Sequence, residues 1–157
     1  MDSNENNSVF EEFEKLETAI NRRKLLPWWI RFFCWAFMIL GVIAIATIPF
    51  GLFGLPTDLS IYGLSTTNSI SLLGFAIITI MVFKAIVAYM LFFKKDGAIG
   101  LGKIDALIGI LICIITTVLQ FFDDSPNFMF RIEIIFLIFY FIKLNKIEYE
   151  WDNLESN

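Results

Sequence analysis

The chain has 157 residues, of which 57% are apolar and 18% charged, with 18 phenylalanines and a formal net charge of −4. A soluble domain is about 45–50% apolar, so too little polar surface remains here to cover a core in water, and disorder falls on the same ground. The mean hydropathy, +0.71, points the same way. With no histidine present, a His-based general base, zinc site or haem ligand cannot be built. Cys34 and Cys113 stand alone in apolar runs without CxxC spacing, so no metal or redox motif is expected, and each reads as a small buried hydrophobe. The negative charge argues against a nucleic-acid partner, which needs a basic stripe.

Residues 1–7 are polar, and no cleavable signal is expected because no basic start leads straight into an apolar stretch. Residues 8–24 read SVFEEFEKLETAINRRK. Ser8 and Glu11 have the spacing of a capping box, and Val9, Phe13, Leu16 and Ile20 form one stripe of a helix. The opposite face carries Glu11, Glu12 and Glu14, which anionic headgroups would repel. The stripe at 8–21 is therefore expected to pack on a protein partner, a second copy, or the chain's own cytosolic ends.

Four apolar segments follow, at about 28–49, 70–93, 98–122 and 128–144. A bilayer core about 30 Å thick takes roughly 17–25 helical residues, and all four fit. Runs this long without alternation are not barrel strands. KKDG at 94–97 and DDSPN at 123–127 are short turns that place the flanking helices side by side; Gly97 suits a left-handed cap. The longer link FGLFGLPTDLSIYGLSTTNS, at 50–69, is expected to lie at the membrane surface or to cap the bundle, with Tyr62 at headgroup level.

The expected fold is an all-α membrane protein: four antiparallel transmembrane helices in an up-down bundle, preceded by a cytosolic amphipathic helix. Residues 1–24 form the cytosolic N-terminal segment, 25–144 the transmembrane domain, and 145–157 a cytosolic tail. Lys and Arg concentrate on one side of this layout (Arg22, Arg23, Lys24, Lys94, Lys95, Lys143, Lys146). The other side has Asp58, Asp123 and Asp124, with Arg131 near its boundary and expected to pair with Asp123 or Asp124. Both termini are thus expected to be cytoplasmic, in an inner or plasma membrane. Trp28 and Trp29 fit an inner aromatic belt, and Phe121, Phe122, Phe128 and Phe130 an outer boundary.

Ionisable groups inside a bilayer cost about 2.5–3.5 kcal/mol or more, so they face the interior and find partners. Lys84, Asp105 and Glu133 are such groups. Counting from the 94–97 turn, Lys84 and Asp105 differ in depth by about 3 Å, which predicts a contact between them. Gly102, Asp105, Gly109, Cys113, Thr116 and Gln120 form a small-or-polar stripe on the third helix. Gly74, Ile77, Met81, Lys84 and Ala88 form its expected counterpart on the second. Glu133 is expected opposite Thr117, in a cluster with Thr116 and Gln120, and Tyr140 continues its face. Each of these groups fits either a structural role, fixing helix register, or a functional one on a path or ligand site.

No GxSxG, P-loop, GxGxxG or HExxH motif is present, and Asp105 has no second aspartate at its depth to form a protease dyad. No enzyme activity and no cofactor is expected. The leading expectation is a non-catalytic accessory or scaffold subunit of a membrane complex, binding a protein partner or a second copy through its helix faces and residues 8–21, with the lipid bilayer around it. A small oligomeric transporter or channel using Lys84, Asp105 and Glu133 is the second reading. Binding of a lipid or hydrophobic ligand between helices is the third.

Overall fold

Long runs of Ile, Leu, Phe and Val leave the backbone to satisfy its own hydrogen bonds, and each run becomes a helix. The computed structural model describes residues 25–121 and 132–153. Helix α1 spans Trp28–Leu52, α2 Leu72–Phe92, α3 Ala98–Phe121 and α4 Ile132–Asn153. Between α1 and α2, β1 (Leu59–Ile61) and β2 (Leu64–Thr66) pair antiparallel, with Ile61 opposite Leu64. Helices α1, α2 and α3 are long and apolar enough to cross a membrane. Lys143, Lys146, Glu148 and Glu150 make the second half of α4 more polar. The amphipathic segment at 8–21, the 123–127 turn and the Arg131 pairing lie outside the described residues.

Local signals set the helix ends. The Ser71 hydroxyl accepts from the Gly74 amide at 3.0 Å, an N-cap that starts α2. At its other end Lys94 takes the left-handed conformation (φ 55°) and the Lys95 amide donates to the Met90 carbonyl at 2.9 Å. Lys94 therefore occupies the cap position after α2, while Gly97 (φ 70°) turns the chain into α3.

Helix α1 lies along α2 at a close approach where Gly41 faces Ala85: a Cβ on Gly41 would collide with that of Ala85. Gly41→Val is expected to force the two backbones apart and cost about 1–3 kcal/mol. Gly100→Ala, with open space around it, should be neutral or slightly stabilising. Thermal melting of both variants in the same lipid nanodiscs checks the contrast.

The interior has two parts. At the end carrying the α2–α3 turn, Trp151 is fully buried with Leu26, Ile30, Leu91, Ile99 and Leu144, so all four helices meet there. The segment after 144, read as a tail, is thus helical through Asn153, and Leu144, Ile147 and Trp151 form its buried stripe.

At the opposite end the hairpin fills the interior. Leu59 packs on Ile77 and Ile78 of α2, and Tyr62 packs with Cys113 of α3 and Leu137 of α4. The hairpin thus caps the bundle, one of the two placements expected for the 50–69 link, with its tip inserted. Tyr62, expected at headgroup level, is packed inside the protein and 5% exposed. The stripes of α2 and α3 meet at Lys84 and Asp105, and toward the other end the hairpin packs against both helices.

Candidate functional site

Tyr62 reaches the interior through the shape of its turn. Tyr62 (φ 51°) and Gly63 (φ 79°) both have positive φ, the requirement of a two-residue type I′ hairpin whose twist matches its strands. A bulky residue at positive φ costs roughly 1–2 kcal/mol. Burial and bonding offset this. Thr116 Oγ1 donates to the Tyr62 carbonyl oxygen at 2.9 Å, and the ring lies against Gly109, where a Cβ would come within 2.8 Å of the Tyr62 hydroxyl. Only glycine at 109 leaves that notch open. Asp105 stands about 10 Å, and Gly109 about 16 Å, along an α3 some 36 Å long, so this contact is near mid-helix.

Lys84 of α2 and Asp105 of α3 meet beside the tip. Lys84 Nζ donates to Asp105 Oδ2 at 2.7 Å, the contact predicted by counting from the 94–97 turn, and the two side chains are 5% and 6% exposed. The ammonium also lies 4.8 Å from the centroid of the Phe37 ring and 5.2 Å from that of Tyr62, within cation–π range. Three elements thus surround one cation: a carboxylate from α3, a ring from α1 and a ring from the hairpin.

Glu133 sits elsewhere than expected. The Cys113 thiol lies 4.0 Å from Glu133 Oε2, where Thr117 was the expected neighbour. Gly102 faces Leu144 and Gly109 faces Leu137. With Cys113–Glu133, these pairs are symmetric about position 123, two residues before the centre of the 123–127 turn, so at these three contacts α4 meets α3 one helical turn deeper than expected. Among the described residues no hydrogen bond joins Glu133 to Thr116, Thr117 or Gln120. Thr116 bonds to the hairpin and to its own helix, Thr117 to the Cys113 carbonyl, and Gln120 Oε1 has no hydrogen-bond partner among the described residues.

Lys84, Asp105 and Glu133 nevertheless share one space. They line a cavity of about 260 Å³ whose remaining wall includes Trp29, Phe33, Phe37, Phe136 and Tyr140. The lining residues that stay exposed, Phe33, Glu133 and Phe136, all belong to α1 and α4. The mouth therefore lies between these two helices, where the Phe33 and Phe136 rings stand 6.3 Å apart. Tyr62 bounds the cavity toward the hairpin end. Toward the turn end lies the cluster around Trp151.

The sequence alone did not single out Phe37 and Cys34 of α1, which line the cavity; a lone aromatic or thiol in an apolar run carries no signal of facing a charge. Tyr62 had one, the alternation Leu59-Ser60-Ile61 and Leu64-Ser65-Thr66 around a Tyr-Gly pair, which marks a hairpin. Among the described residues no group of three or more acidic or cysteine side chains gathers to hold a metal ion. Comparison with family models, with curated proteins and with solved structures gives no match.

Proposed function

We propose that the chain crosses the membrane four times as an up-down bundle and holds a small lipid-soluble molecule in the cavity at its centre. The apolar first half of α4 supplies the fourth crossing, and its charged second half continues beyond the bilayer. Lys94, Lys95, Lys103, Lys143 and Lys146 gather at the turn end, while the hairpin end has Asp58, which favours a cytoplasmic turn end. The carrying observation is the cavity itself, apolar for most of its wall, with a buried ion pair at one pole and its mouth between α1 and α4. Such a site suits a ligand arriving from lipid and oriented by a few polar groups.

This reading is favoured over a transmembrane path because the hairpin tip closes one end of the interior and the Trp151 cluster the other. The accessory-subunit reading rests on residues 8–21, outside the described residues, and gains no support from the site. Native mass spectrometry of protein released from its membranes is the test. The expected spectrum has a stoichiometric bound small molecule that Ala88→Leu or Cys34→Leu, each filling the cavity from its wall, displaces while the protein still melts cooperatively. A spectrum of unliganded protein, or of adducts indifferent to both variants, would count against the proposal.

A further inference from the structure

Resting on that reading of the cavity, we propose that its ligand is an amphiphilic organic cation, with a protonated or quaternary nitrogen held by Glu133 and the surrounding aromatic rings. The charges of the lining decide this. Among the described residues of the lining Lys84 is the sole cation, and it is already matched: Asp105 holds it at 2.7 Å and the rings of Phe37 and Tyr62 cover it. Among the described lining residues no positive charge is left over for an anionic head. Glu133 is the third ionisable lining group, and among the described residues it has no cation within ion-pair distance, only the weakly donating thiol of Cys113. The described lining thus carries two carboxylates against one neutralised ammonium.

The wall agrees with that sign. The rings of Trp29, Phe33 and Phe136 in that wall carry negative quadrupole charge on their faces, which attracts cations and disfavours anions. Glu133 stands at the mouth beside Phe33 and Phe136, so an arriving nitrogen meets a carboxylate and rings together. A cavity of about 260 Å³, just under the roughly 300–1,000 Å³ of common ligand pockets, takes a head and a ring-sized body, and a longer chain trails through the mouth into lipid.

The test uses the full chain in phosphatidylcholine nanodiscs and probes sharing a 4-phenylbutyl body: one with a trimethylammonium head, one with a hydroxyl and one with a carboxylate. Saturable binding is read by equilibrium dialysis against empty discs. The trimethylammonium probe is expected to bind about tenfold or more tighter than the alcohol, and the carboxylate not to saturate. Glu133→Gln should reduce that advantage to about threefold or less while leaving the alcohol's affinity unchanged. An alcohol or carboxylate that binds as tightly as the ammonium, or a Glu133→Gln protein that keeps the full preference, overturns the cation assignment. Equal binding of all probes, lost in Ala88→Leu, would leave the cavity a ligand site and remove only its selectivity for cations. Saturable binding of none would remove both.

Discussion

Lys84→Met is expected to destabilise the protein by about 3–5 kcal/mol, and Asp105→Leu by a similar amount, whereas the double variant recovers most of the loss. The pair is 2.7 Å apart, and its side chains are 5% and 6% exposed. At that burial the cost of withdrawing each charge from water is of the same order as the attraction between them, so the intact pair adds little net stability. Removing one partner leaves the other charge desolvated and unmatched, and that term dominates. Because the two rings facing Lys84 attract a cation only weakly, about 0.5–2 kcal/mol, they cannot hold it in place of Asp105. Unfolding in nanodiscs, measured for both single variants and the double, gives the coupling directly. Single variants as stable as the wild type would mean that the two groups do not stabilise one another.

Tyr62→Ala removes the largest side chain of the hairpin tip and is expected to cost about 3–5 kcal/mol, as for other buried aromatic truncations. Tyr62, Cys113 and Leu137 form one cluster, in which Cys113 is fully buried. Withdrawing the ring should let water reach Cys113 from the hairpin end. In a Cys34→Ala background, a membrane-impermeant thiol reagent added at that side should leave Cys113 unmodified in the wild-type hairpin and label it in Tyr62→Ala. Tyr62→Phe keeps the ring and should stay protected. Gly109→Val attacks the same contact from α3, since its Cβ would sit 2.8 Å from the Tyr62 hydroxyl and 3.0 Å from Leu137, and it should expose Cys113 likewise. Labelling of Cys113 that is equal in all four proteins would show that the tip does not seal the interior.

The helices and the Lys84–Asp105 contact were legible because both follow from local rules: apolar runs of spanning length, and a short turn from which residues count off symmetrically on either side. The register of α4 follows the same rule from a different origin, and a displacement of two residues was enough to move the neighbour of Glu133 from Thr117 to Cys113. The stripe of Leu144, Ile147 and Trp151 was present in the sequence but masked by the charges between its members. Burial of the hairpin was not legible at all. Its alternating Leu, Ser and Ile residues suit a membrane surface equally well, and only Gly109, some 47 positions later, with Thr116 makes the notch that receives Tyr62. The cavity depends on side chains from every helix and from the hairpin, a non-local property that no single run of residues encodes.

The depth of Tyr62 decides whether the ion pair and cavity are sealed from water at the hairpin end. The chain has four tyrosines, at 62, 89, 140 and 149, so 3-fluorotyrosine labelling in nanodiscs gives a small set of fluorine signals, assignable by Tyr→Phe replacement. A water-soluble gadolinium chelate should broaden the signal of Tyr149, which is 79% exposed near the end of α4, and leave that of Tyr62 sharp. If Tyr62 broadens as strongly as Tyr149, the hairpin lies at the headgroups and the cavity opens to water there, contrary to the sealed site described above.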